Sequence, residues 1–125
     1  LGGHFRIRLD IETEKLDVQK QKLGAAPNFI HSMDASHLIF TVQKAVTKGC
    51  TGFAMIHDDF GTHACDTPKL QSCIRSAFIE LYENNDPLTQ FREYNEQRSG
   101  VKLREPPSQG ELSLCNIKES KYFFG

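Results

Sequence analysis

Phe53-Ala-Met-Ile-His-Asp-Asp-Phe-Gly-Thr-His-Ala64 is the stretch that decides how the rest of this 125-residue chain is read. Four apolar residues run into two adjacent carboxylates, Asp58 and Asp59, and Gly61 follows with Thr62 and His63. The pattern predicts a short strand buried on both faces, a tight turn and a second short strand. A buried strand that ends in an acidic pair fixes negative charge at one point on a rigid element. Folding gains nothing from that, because an uncompensated buried charge is costly. A divalent cation compensates it, and hard cations such as magnesium prefer carboxylate oxygens. The plainer reading is a solvated Asp-Asp turn.

Upstream, Phe5, Ile7, Leu9 and Ile11 alternate with Arg6, Arg8, Asp10 and Glu12, the period of a strand with one wet face. Arg6 and Arg8 suit phosphate contacts, although exposed strand arginines are more often simply solvated. Residues 12–22 are mostly charged or polar and read as a solvated connection with at most a little helix. A helix is expected from Pro27, whose missing N–H suits a first turn, to about Lys48, with Gly49 as its cap. Within it His31, Asp34 and Leu38 fall at i, i+3 and i+7 and share a face. His37 points about 120° away from His31, so the two are poorly placed to grip one metal ion.

Downstream, Thr67 and Pro68 read as the N-cap and first residue of a helix. Leu70, Cys73, Ile74, Ala77, Phe78 and Leu81 then repeat at core-facing helical spacing. Asp86-Pro87 restarts a shorter helix with Leu88, Phe91 and Tyr94 inward, and residues 99–110 form a loop. The end, Tyr122-Phe-Phe-Gly125, is too aromatic for a frayed tail and is expected to dock.

Composition narrows the classes. A net charge of −1 argues against a free-standing nucleic-acid binder held by a broad basic face, though not against a piece of one. No stretch is apolar for long enough to span a bilayer and no signal peptide is visible, so no membrane partner is expected. Cys50, Cys65, Cys73 and Cys115 lack a paired Cys-x-x-Cys, which excludes a zinc ribbon and fits reduced thiols. Leu1 in place of Met, followed almost at once by a strand pattern, points to a piece of a longer protein. Gly-rich phosphate loops, a Ser-His-Asp arrangement and a dinucleotide fingerprint are absent. Any chemistry rests on the acidic pair and the polar helix face.

Pro27-Asn-Phe-Ile-His-Ser-Met-Asp-Ala-Ser-His-Leu38, followed about 25 residues on by Ile56-His-Asp-Asp-Phe-Gly-Thr-His-Ala64, resembles the C-terminal part of the single-subunit DNA-directed RNA polymerases. These are the enzymes of podophages and, more distantly, of mitochondria and chloroplasts. The likeness extends over essentially the whole chain, and the second block resembles the family's motif C. It implies an α+β fold, the C-terminal palm portion of a right-hand polymerase, with an acidic β-hairpin packed by helices. Residues 1–30 would be a strand and connection leading from the fingers, and 31–125 the palm with its hairpin and tail. Asp58 matches the motif C aspartate that binds two catalytic magnesium ions. His31 matches a histidine against the primer terminus and ribose, and so a substrate-binding role. His57 and Asp59 take supporting positions. Phe123 and Phe124 match a tail that folds back near the active site.

The implied reaction is nucleotidyl transfer from ribonucleoside triphosphates onto RNA, templated by DNA. The partners are therefore DNA template, nascent RNA, triphosphates and the missing N-terminal remainder. That remainder carries the second metal-binding aspartate and the triphosphate-gripping residues, so this piece alone is expected to be inactive. The Asp-Asp-Phe-Gly-Thr block favours a phage protein in the cytoplasm of an infected bacterium over a mitochondrial or plastid enzyme. Asp59 is also a departure: the DNA polymerase I family places an acid there too, which leaves a DNA polymerase palm as an alternative. Two others stand beside it: a metal phosphohydrolase built on His57-Asp58, which wants that doublet on a helix, and a non-catalytic interaction module.

Overall fold

Asp17 starts the first long element. Its carboxylate accepts hydrogen bonds from the Gln19 and Lys20 amides, both at 3.1 Å, which satisfies donors that have no partner inside a first helical turn. Helix α1 then runs Val18–Thr47. The computed structural model describes residues 5–9, 11, 14–83 and 85–123. A helical start at Pro27 is therefore corrected: Pro27 lies inside α1, and residues 18–22 of the expected connection are helical. The physical reason is that residues 18–26 are nearly all good helix formers behind a strong cap, which offsets the one hydrogen bond Pro27 cannot donate. Gly49 ends the element at φ +82°, a left-handed conformation that costs glycine nothing, and the Cys50 amide closes back on the Ala45 carbonyl at 3.0 Å.

Strands β1 (Phe53–Ile56) and β2 (Asp59–Thr62) form an antiparallel hairpin with Ile56 opposite Asp59 and Phe53 opposite Thr62. Its base is tied by the Thr62 hydroxyl, which donates to the Gly52 carbonyl at 2.7 Å. The expectation of a strand buried on both faces is corrected. Burial alternates, with Phe53 and Met55 turned to the core and Ala54 and Ile56 outward. Among the described residues the sheet has two strands and one covered face. The strand expected over Phe5–Ile11 is also not formed in residues 5–9 and 11, whose apolar side chains are exposed. A strand without a neighbour has nothing to pair its backbone with. Asp10 and Glu12 of that expectation lie outside the described residues.

A single 3-10 turn, Ala64–Asp66, leads into α2 (Thr67–Glu83), so Thr67 is the first helical residue and not the cap. Asp66 is buried and held by the Lys69 ammonium at 2.7 Å. Leu70, Cys73, Ile74, Ala77 and Leu81 are buried as their spacing requires; Ile79 joins them and Phe78 is half-buried. This stripe packs on the His37, Thr41 and Ala45 face of α1, at i, i+4 and i+8. Ala45, Cys50, Leu70, Cys73 and Ile74 form the core, and Phe53, Met55, Phe60 and Phe123 close over it.

Helix α3 (Pro87–Ser99) is capped by Asp86, which accepts from the Thr89 amide and hydroxyl at 3.1 and 2.6 Å. No α3 residue is buried, so the expected inward set is corrected: Leu88, Phe91 and Tyr94 are about half exposed, with Phe91 meeting Phe29 at 5.1 Å. The tail returns to α2 through a second 3-10 turn at Leu114–Lys118. There Arg75 donates to the Ser120 carbonyl at 2.8 Å, and Phe123 packs edge-on against Phe78 at 5.1 Å. No helix among the described residues is long and apolar enough to cross a membrane.

Leu70 sits at the centre of this core, and Leu70→Ala is expected to destabilise the fold by about 3 kcal/mol in denaturant unfolding. Stability should also fall with acid. Burial is the main influence holding the His37 imidazole below its ordinary value of 6.5, against upward pulls from its bond to Ile74 and from Asp34. The unfolded chain then binds more protons than the folded one just below that pH, so stability is lost as pH falls. The melting temperature should drop between about pH 7 and pH 5, and drop less in His37→Phe.

Candidate functional site

The hairpin presents its charge through a two-residue turn, His57 and Asp58, between Ile56 and Asp59. His57 has φ +55°, the only non-glycine residue in the left-handed region among those described. Tight hairpins favour such conformations because they match the right-handed twist of the strands. A side chain there costs roughly 1–2 kcal/mol relative to a relaxed backbone, a cost the packed hairpin carries. Asp58 follows at the tip and Asp59 opens β2, both exposed. One residue further, Phe60 turns inward and packs on the core. Asp58 at the turn, Asp59 at the start of β2 and the core anchor Phe60 are thus consecutive in the chain.

Asp58 and Asp59 line a depression of about 330 Å³ together with Phe60, Leu70, Gln71 and Ile74. Among the described residues no ion pair or hydrogen bond engages either carboxylate. Two adjacent, unpaired hard oxygen donors on an anchored turn are the donor chemistry a magnesium ion takes. They are not a complete set: the described residues hold no group of three or more His, Cys, Asp or Glu side chains able to enclose a metal. The donors fit in kind and fall short in number.

His31 and His37 part company as their helical spacing requires. His31 is exposed on α1, and no hydrogen bond or ring contact joins it to the hairpin among the described residues. His37 is buried at 6 % exposure. Its Nε2 lies 2.9 Å from the Ile74 carbonyl oxygen, which can only accept, so Nε2 carries the hydrogen. The imidazole stands edge-on to Phe60 at 5.5 Å and to Phe78 at 5.4 Å. Reading the helix for metal ligands passed over this core role. The available signal was the i, i+4, i+8 spacing of His37, Thr41 and Ala45, which puts the three on one face of α1. The docked aromatic end is present in Phe123, packed on the core cluster, while Phe124 lies outside the described residues.

An acidic turn on a short antiparallel hairpin, packed on a helical core and closed by an aromatic tail, makes this an α+β piece with two exposed carboxylates side by side. The family model for DNA-dependent RNA polymerase matches residues 3–101, and the chain belongs to that family. It is 41 % identical over 98 % of its length to the DNA-directed RNA polymerase of Enterobacteria phage T3, of which it covers 15 %. It is 39 % identical over 98 % to the T7 RNA polymerase of Escherichia phage T7, again covering 15 %. A chloroplastic/mitochondrial DNA-directed RNA polymerase of Nicotiana tabacum is 40 % identical over 94 % of the chain, which spans 12 % of that relative. The chain therefore matches only a small part of the relatives' length.

Turn strain gives a direct check on the hairpin. His57→Gly should leave stability unchanged or raise it by up to about 1 kcal/mol, whereas His57→Val should lower it by about 1–2 kcal/mol. Denaturant unfolding of the two variants side by side separates the outcomes.

Proposed function

We propose that this chain is the C-terminal palm portion of a DNA-directed RNA polymerase, with Asp58 as one of its catalytic metal ligands. The observation that carries the reading is the pair of unpaired carboxylates on an anchored hairpin turn, in a chain that belongs to the polymerase family. The activity is DNA-templated RNA synthesis from ribonucleoside triphosphates. Residues 31–125 form the palm portion and residues 1–30 lead into it from the fingers. When bound, two magnesium ions supply activation of the RNA 3′-hydroxyl and charge neutralisation on the pyrophosphate leaving group.

The chain's own residues divide the remaining work. Asp58 offers carboxylate oxygens at the exposed tip of the turn. Asp59, one residue on, contributes a second negative charge and a possible outer ligand. His57 shapes the turn through its left-handed backbone. His31, exposed on α1, is free to donate to the ribose or primer terminus. Phe123 closes the core behind the hairpin, and Phe124 takes the supporting tail position that the resemblance implies. The ligands still needed for two ions lie outside this chain, in line with its covering 12–15 % of its relatives. The exposed Phe5, Ile7, Leu9, Ile11 and Ile56 side chains are the apolar surface such a remainder would cover.

Relatives occur in phages and in plant organelles at nearly equal identity. The phage branch, with synthesis in the infected bacterial cytoplasm, is the assignment we favour because of the Asp-Asp-Phe-Gly-Thr block. A non-catalytic interaction module and a DNA polymerase palm make different predictions. In the full-length protein, Asp58→Asn should reduce RNA synthesis by several orders of magnitude while promoter binding stays intact. Unchanged synthesis would point to the interaction module, and incorporation of deoxynucleotides in preference to ribonucleotides would point to the DNA enzyme. The 125 residues alone, given template, primer, magnesium and all four ribonucleotides, should incorporate nothing.

A further inference from the structure

We infer that His37 is a positioning residue for the acidic hairpin, setting the placement of Asp58 and Asp59 through Phe60. The proposal rests on the polymerase reading and deepens it.

The geometry is a three-way wedge. His37 projects from α1 into the seam between α2 and β2, and each face of the seam makes a specific contact with it. To α2 the imidazole donates its Nε2 hydrogen to the Ile74 carbonyl at 2.9 Å and stands at 88° to the Phe78 ring. To β2 it meets the Phe60 ring at 5.5 Å and 63°, an edge-to-face arrangement that favours one orientation over others. Phe60 follows Asp59 directly, so a change in the Phe60 ring position moves the strand that carries the acids.

Three facts set this apart from ordinary core packing. The first is chemical: an Ile or Leu fills such a seam with no buried donor, and a buried polar group is worth having only where its partner is fixed. Ile74 provides that partner, and Ile74 also lines the depression at the carboxylates. The second is mechanical. A hairpin of two four-residue strands is marginal alone and takes its orientation from what it leans on. The third is one of reach, since the same imidazole touches elements 37 and 23 residues away in sequence. A metal site with few ligands depends on such outer support, whose loss commonly costs 10- to 100-fold in metal affinity or activity.

The test uses the full-length polymerase that contains this sequence, with magnesium as the titrant. His37→Phe keeps a ring in the seam and removes the donor; Phe60→Leu removes the ring contact from the hairpin side and leaves every polar group in place. Both variants are expected to keep a cooperative melt, and to need about 10-fold more magnesium for half-maximal synthesis. The KM for nucleotides should stay within about twofold, because uniform substrate binding is untouched. His37→Gln, which can still donate to Ile74, should recover part of the magnesium response lost in His37→Phe. A wild-type magnesium response in both His37→Phe and Phe60→Leu overturns the proposal. So does a loss that appears only as a raised nucleotide KM or only as lost folded protein. Asp58→Asn is run beside them: if that enzyme still synthesises RNA, the polymerase assignment of the hairpin falls, and the role of His37 with it.

Discussion

The hairpin cannot stand by itself. Two four-residue strands bury too little to be stable in water, so the position of the acidic turn depends on the inner face that Phe53, Met55 and Phe60 lay on the α1–α2 core. That contact is the constraint on which the rest of the structure turns. It explains why α2 carries an almost unbroken apolar stripe, and why α1 buries His37, Thr41 and Ala45 against it. It also explains why the tail returns to seat Phe123 on the same cluster. Each of these elements adds buried surface around the base of a turn that is itself fully wet.

Charge is handled by placement. Asp66, only a few residues beyond the hairpin, is buried and satisfied at once by Lys69, as a carboxylate without another function has to be. Asp58 and Asp59 are left exposed, with no ion pair among the described residues. The two arrangements stand side by side in one short segment: the buried carboxylate needs a protein partner and the exposed, hydrated pair does not. Burial elsewhere acts in the expected direction: it depresses His37 and pushes the Cys50 thiol up, which keeps both neutral inside the core.

Much of this was legible in the residues. The hairpin, its turn and the α2 stripe follow from short-range periodicity, and family membership follows from two long blocks in order. The misreadings share a cause. Pro27 was a locally sound start for a helix, but Asp17 capped an earlier one. Phe5–Ile11 has the period of a strand, yet period alone supplies no partner strand. Leu88, Phe91 and Tyr94 have the spacing of an inward face and lie against little that is described. In each case the local pattern was right, and the missing information concerned what stood opposite.

The sequence by itself determined the chemistry on offer: two adjacent carboxylates at a turn, hard-oxygen donors, and upstream two histidines whose helical spacing could be worked out on paper. Only the tertiary structure decided which histidine faces water and which the core. The reason is that α1 carries polar residues on more than one face, so its pattern does not name the buried side; the α2 stripe names it, by packing against His37, Thr41 and Ala45. The same packing joined His37 to Phe60 and Ile74, residues far apart in the chain whose proximity no local rule contains.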